Sequence, residues 1–258
     1  MAGPGDESDI CDDQHTCRSA DETIEAGEKY VIVSIHQPNF VPWLGFFDKV
    51  DRSDIFILLD NVQFEKNEWQ NRNRIKGPNG LQWLTVPVQH RFPQTIAEVC
   101  VDNKTNWRRK HWNAITSNYR KAPFFDRYGP LFENVYLQEW TRLIDFNIYL
   151  LKQVFEMIGL NKPIRLASEF QINQASSSRL ASLCKAVDGD IYLAGAGGHN
   201  YLDTTPFESS RIQIEYQEYR HPKYPQLFGS FIAHLSVLDL MMNCGDQSLN
   251  VIRRKTGT

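Results

Sequence analysis

The sequence predicts an α/β fold: an open, mainly parallel sheet with flanking helices, plus an antiparallel hairpin. Three observations carry that expectation. Two short apolar runs, Tyr30-Val31-Ile32-Val33-Ser34-Ile35 and Asp54-Ile55-Phe56-Ile57-Leu58-Leu59, are separated by one helix-length stretch. That spacing suits a βαβ unit with parallel strands and a right-handed crossover. A third run, Asp190-Ile191-Tyr192-Leu193-Ala194, repeats the strand signature far downstream. Finally, Gly77-Pro78-Asn79-Gly80 marks a chain reversal between two strand-like segments.

The first strand stops at His36-Gln37-Pro38-Asn39, because Pro38 donates no ladder hydrogen bond and holds Gln37 extended. Pro42 suits the first turn of a helix through Leu44, Phe47 and Val50. The second strand ends at Asp60. Beyond the hairpin, Thr105 to Tyr119 reads as a helix with Trp107, His111, Ile115 and Tyr119 on one stripe, beside Arg108, Arg109 and Lys110. Leu131 to Ile158 reads as further helix, closed by Gly159. Ser176-Ser177-Ser178-Arg179 offers an N-cap to a helix carrying Leu180, Leu183 and Cys184. The third strand runs into Gly195-Ala196-Gly197-Gly198, Ile212 to Tyr216 alternates as a strand, and Leu235 to Met242 forms a short terminal helix.

The chain has 258 residues, 41% of them hydrophobic and 23% charged, which is enough apolar material for a sizeable core. Its net charge of −3 hides an asymmetry. Residues 1–29 hold nine of the 31 acids and two of the 28 bases, so this head carries −7 and the body +4. With little apolar content the head is expected to be disordered, leaving residues 30–254 as a single α/β domain. A mildly basic body favours a small anionic ligand over nucleic acid, which would need one continuous basic surface. No apolar run reaches transmembrane length. The start lacks a secretory pattern, so the cytoplasm is the expected compartment. Five cysteines without a C-x-x-C pair predict neither a zinc site nor disulfides; Cys11 and Cys17 read as exposed thiols and Cys100, Cys184 and Cys244 as small buried hydrophobes.

Ligands of open parallel sheets bind at strand carboxyl ends, and three such ends carry polar clusters. In His36-Gln37-x-Asn39, His36 is the natural acid/base or phosphate-contacting group, the alternative being a structural ring bonded to neighbouring backbone. In Asp60-Asn61-x-Gln63, Asp60 either orients His36, binds a metal or caps a turn. In Gly195-x-Gly197-Gly198-His199, the glycines would let backbone approach a phosphate, although a tight strand-to-loop turn explains them equally. The segment 63–76 packs four cations, three asparagines and two aromatics into fourteen residues. There, Gln63, Lys66, Asn71, Arg72 and Arg74 are candidates for phosphate, carboxylate or sugar contacts, the alternative being a solvated hairpin edge protected by its charges.

Ile35-His36-Gln37-Pro38-Asn39-Phe40-Val41-Pro42-Trp43-Leu44-Gly45, followed by Asp60-Asn61-Val62-Gln63-Phe64 and Trp69-x-Asn71-Arg72-Asn73, resembles the WbqC-like family. Trp83 to Val88, Tyr119-x-Lys121-Ala122-Pro123, Tyr192-Leu193-x-Gly195, Tyr201-Leu202-Asp203 and Leu235-Ser236-x-Leu238-Asp239 extend the likeness over residues 31–252. The resemblance implies a role in O-antigen or other surface-polysaccharide biosynthesis, with transfer of an acyl or aminoacyl group to a sugar amine. It implies a small-molecule partner, a nucleotide-linked or lipid-linked sugar. The alternative is a non-catalytic sugar-nucleotide-binding module supporting a glycosyltransferase. On the catalytic reading, His36, Asp60 and Lys66 do the chemistry. Gln37, Asn39, Gln63, Asn71, Arg72, Arg74, Ser177, Arg179, Gly195, Gly198, His199 and Tyr201 bind substrate, with Arg72 foremost for the anion. A weaker likeness to the start of pantothenate synthetase, including Ser177-Ser178-Arg179, implies ATP with Mg²⁺ as cofactor, which the residues themselves leave open.

Overall fold

The computed structural model describes residues 30–253. The acidic head, with Cys11 and Cys17, and residue 254 of the expected domain lie outside the described residues. The βαβ unit forms as anticipated: β1 (Ile32–His36), α1 (Leu44–Arg52) and β2 (Ile55–Leu58), with β1 and β2 parallel. An antiparallel hairpin follows, β3 (Arg72–Gly77) and β4 (Gly80–Thr85), turning at Pro78-Asn79 as the glycine–proline signal requires. A two-residue pair, β5 (Val88–Gln89) and β6 (Cys100–Val101), leads to α2 (Trp107–Tyr119), α3 (Phe125–Leu137) and α4 (Leu143–Ile158). Then come β7 (Ile164–Leu166), α5 (Ser176–Lys185), β8 (Ile191–Ala194), α6 (Thr205–Ser209), β9 (Gln213–Tyr216), α7 (Val237–Cys244) and α8 (Ser248–Arg253).

The main sheet has five strands in the order β7-β2-β1-β8-β9, and every pairing in it is parallel. Both faces are covered, which is why its strands read as continuous apolar runs. Alternation within β2 shows this directly. Phe56 and Leu58 join the larger core with α1, α2, α4 and α7, whereas Ile57 joins Val33, Ile35, Tyr192 and Phe207 under α5 and α6. Among the described residues no helix is long and apolar enough to cross a membrane.

Several local expectations are corrected. The helix expected over 131–158 is two helices. Between them Val101 N donates to Thr141 O (2.9 Å) and Leu143 N donates to Val99 O (2.9 Å), so the chain leaves the helix to pair with the β6 backbone. Trp140 is buried in that break, its indole nitrogen donating to Val135 O. Helix α1 starts two residues after Pro42, with Trp43 in extended conformation before it. The serine run supplies no side-chain cap to α5; Ser177 Oγ instead accepts from Asp203 N at 2.9 Å. The segment after β8 coils into a short 3₁₀ turn, Ala196–Asn200, and no glycine from 195 to 198 has positive φ. Gly198 is there for packing, since a Cβ would lie 2.9 Å from Leu202 and 3.2 Å from Ala194 and Tyr216. Gly159 does close α4 left-handed (φ 74°), with Leu160 N donating to Phe155 O.

Candidate functional site

In an open parallel sheet a crevice forms where the strand order reverses direction. Here that point lies between β1 and β8. From β1 the chain moves outward to β2 and β7, whereas from β8 it moves the other way to β9. Two adjoining clefts open at the carboxyl ends of these two strands. The larger, about 380 Å³, is lined by His36, Asn39, Trp43, Trp69, Arg74 and His234. The smaller, about 200 Å³, shares His36 and Trp43 and adds Lys49, Gly195, Gly197, Gln217 and Tyr219 among its walls. A wider depression of about 600 Å³ near Lys152, Glu156 and Lys162 contains none of the strand-end residues.

His36 is the titratable group common to both clefts. Its Nδ1 lies 2.9 Å from Gln37 O. A carbonyl only accepts, so Nδ1 carries the proton and Nε2 keeps its lone pair. Burial, then the charge of Lys49, lowers the His36 pKa to about 4, against a smaller opposing effect of the Gln37 carbonyl. The neutral ring is therefore an acceptor at Nε2 near pH 7. It cannot donate to developing negative charge there until it gains a proton. The Phe46 ring meets the imidazole edge-on at 5.0 Å and fixes its plane.

The loop that carries the cluster is fastened from several sides. Asn73 Nδ2 donates to Phe40 O (3.0 Å) and Val41 O (2.8 Å), and Phe40 N donates to Trp69 O (2.9 Å). Asn147 Nδ2 reaches Gln70 O at 2.8 Å and Pro38 O at 3.3 Å, while Gln70 Nε2 donates to Gln37 Oε1 at 2.6 Å. These bonds hold Val41 at φ 37°, a left-handed conformation that costs a β-branched residue about 1–3 kcal/mol. Strain of that kind persists only where neighbours over-determine the backbone.

Arg74 forms the cationic wall of the larger cleft. One guanidinium nitrogen donates to His234 O (3.2 Å), and its Nε is buried without a partner. The guanidinium lies 5.4 Å and 5.6 Å from the ring centres of Trp69 and Trp83. Trp43 completes the aromatic lining, 5.0 Å from His234 and 5.6 Å from Tyr219. Flat aromatic walls with a cation between them suit a sugar or base attached to phosphate or carboxylate. Arg74→Lys should accordingly weaken an anionic ligand by about 1–3 kcal/mol with little change in melting temperature. Titration calorimetry on both proteins checks this, and equal affinities would reduce Arg74 to a stacking element.

The strand-end clusters are thus only partly united. His36, Asn39, Arg74 and Gly195 border the clefts. Asp60 follows β2 on the far side of β1, and its carboxylate accepts from Ser168 N (2.9 Å) and Ser168 Oγ (2.6 Å), a tie to a distant segment rather than to the turn that follows it. Lys66 is exposed on a turn, and Gln63 Nε2 donates to Phe64 O. Asn71 is buried and spends its amide on Asn67 N and Val86 O. Arg72 stacks 4.4 Å over Trp83 and is absent from both cleft linings, whereas Arg74 lines the larger cleft. Arg179 Nε donates to Gln174 O, His199 stacks on Tyr216 at 3.5 Å, and Tyr201 is exposed. Gln37 supports the loop through Gln70, as above.

Trp43, Lys49, Trp69, Gln217, Tyr219 and His234 escape the sequence reading. Lys49 carried a usable signal: it lies three residues from Phe46 and four from Gly45, on the buried face of α1. The cleft linings contain no carboxylate, and the described residues hold no cluster of three or more His, Cys, Asp or Glu able to bind a metal. This donor set does not fit Mg²⁺.

The Mycobacterium tuberculosis protein Rv1507c, itself uncharacterised, is 35% identical to the chain over 225 residues, covering 86% of this chain and 97% of the relative. No solved structure matches. Residues 37–251 match the WbqC-like protein family, a span that includes Asn39, Lys49, Arg74, Gly195 and Tyr219, and the chain belongs to that family.

Proposed function

We propose that the protein is a transferase that places an acyl or aminoacyl group on the amine of a nucleotide-linked or lipid-linked amino sugar. The observation that carries this reading is the position of His36. It stands at the strand-order reversal, between an aromatic cleft with an arginine and a smaller cleft with a lysine, and its Nε2 is unprotonated. The larger cleft would seat the sugar against Trp43 and Trp69, with its anionic group on Arg74. The sugar amine attacks the acyl carbon, the leaving group departs, and the amine's proton passes to His36 Nε2. Such a base contributes roughly 10²–10⁴-fold. A pKa of about 4 makes His36 a weak base, and an anion bound beside it would raise that value.

The test pairs binding with turnover. Nucleotide amino sugars are screened by thermal shift, and amide product with activated acyl donors is followed by mass spectrometry. His36→Gln should keep the ligand-induced rise in melting temperature and lose product by about 10²-fold or more. Binding in the wild type with no amide product from any donor would leave the non-catalytic binding module in its place.

A further inference from the structure

The smaller cleft holds a cation that no salt bridge among the described residues neutralises. Lys49 is 2% exposed, and its ammonium donates to Ile35 O at 3.2 Å. Three donors sit on that nitrogen, and no salt bridge among the described residues reaches it. The neighbouring Asp48 on α1 is engaged elsewhere: it accepts from Gln217 Nε2 at 2.6 Å and lies 4.0 Å from Arg52. Burial lowers the Lys49 pKa to about 8, so the amine is still mainly protonated at pH 7. His36 is neutral while Lys49 titrates and adds no charge of its own.

A second polar side chain, Tyr219, lines the same cleft. Its hydroxyl is buried without a hydrogen-bond partner among the described residues, and burial, then the charge of Asp48, pushes its pKa up, so it stays a protonated donor. The third wall is backbone. Gly195 has φ −69° and ψ 159°, ordinary values for any residue, and a Cβ there would meet nothing within 4 Å. Internal packing therefore gives no reason for glycine at this rim, whereas a bound group approaching the main chain does. A buried ammonium, an orphaned phenol and an open glycine edge all favour an oxyanion, because each uncompensated polar group carries a desolvation penalty that an acceptor removes.

We propose that the smaller cleft is an oxyanion subsite, in which Lys49 and Tyr219 grip a small carboxylate or phosphate group seated against Gly195 and Gly197, next to His36 Nε2. This deepens the function proposed above and rests on it only for the group's identity: the anionic end of the acyl donor. Each cleft then takes one substrate, and the imidazole stands where they meet.

The test uses the full chain and no sugar. Acetate and inorganic phosphate are titrated at constant ionic strength against a chloride control, by thermal shift and calorimetry. A response to phosphate alone assigns an acyl phosphate, and a response to acetate as well assigns a carboxylate-bearing donor. Lys49→Met should lose at least tenfold in anion affinity while melting no lower than the wild type, since the change removes a buried charge. Tyr219→Phe should lose severalfold and serves if Lys49→Met does not fold. Saturating anion should also raise the His36 pKa in an NMR titration of its ring protons. No response to either anion, or undiminished responses in both variants, would overturn the subsite. Such a failure beside intact amino-sugar binding and product formation would leave the proposed transferase standing. Absent product beside intact anion binding would do the reverse.

Discussion

Replacing Asp239 with alanine should destabilise the fold by about 3–5 kcal/mol, the scale for removing one partner of a buried charged network. Asp239 has no exposed surface, and its two carboxylate oxygens accept from Tyr119 Oη (2.8 Å) and Tyr224 Oη (2.9 Å). Tyr119 Oη in turn accepts from Lys76 N at 2.9 Å, and the buried Lys76 ammonium donates to Ser230 O and Gln226 Oε1. Burial raises the Asp239 pKa, opposed by the two tyrosine hydroxyls and the Lys76 charge. Alanine would orphan two phenols and remove the counter-charge of a buried lysine. The change should also reach the larger cleft, because Lys76 continues the strand of Arg74 and Tyr224 anchors the loop leading to His234. Urea unfolding at pH 7 measures the loss, and a change below about 1 kcal/mol would mean that water replaces the carboxylate. Asp239→Asn keeps the shape and should fall between the two.

Acid should destabilise the protein through two histidines, by about 3 kcal/mol for each. His36 and His111 both have their pKa lowered from 6.5 to about 4, chiefly by burial. His111 Nε2 donates to Thr85 O (3.0 Å), and its Nδ1 lies 3.3 Å from the Tyr136 hydroxyl. The unfolded chain takes up both protons near pH 6.5, whereas the folded chain resists until about pH 4. Their contribution is thus complete above pH 6.5 and is lost progressively as the pH falls to 4. His36→Gln or His111→Gln should flatten the stability–pH slope in that window, each by about half. Parallel slopes for wild type and both variants would show that carboxylates alone govern acid unfolding.

Local chemistry made much of the fold legible. The β-branched runs at 30–35, 54–59 and 190–194 are strands because their composition suits pleated, doubly covered backbone, and Pro38 ends the first one wherever it packs. The 77–80 turn and the Trp107–Tyr119 stripe are equally local. By contrast, β7 has three residues, too few for a period, and the break between α3 and α4 depends on hydrogen bonds to a segment some forty residues earlier.

The candidate site divides along the same line. The sequence alone placed His36, Asn39 and Gly195 at strand ends, because apolar runs and their terminators are properties of neighbouring residues. Which ends meet is a property of strand order. Pairing β8 with β1 sets Gly195 beside His36, while pairing β7 with β2 turns Asp60 towards Ser168 and away from both clefts. Only the tertiary structure set Lys49 and Tyr219 on the walls of one cleft, and Arg74 against His234, across separations of about 160–170 residues. Burial, not residue type, decided the state of the two groups at the centre: it left His36 a neutral acceptor and Lys49 a cation with no ion pair among the described residues. A linear sequence carries the charges of its side chains, but the desolvation that sets their protonation arises only when distant segments exclude water from the same space.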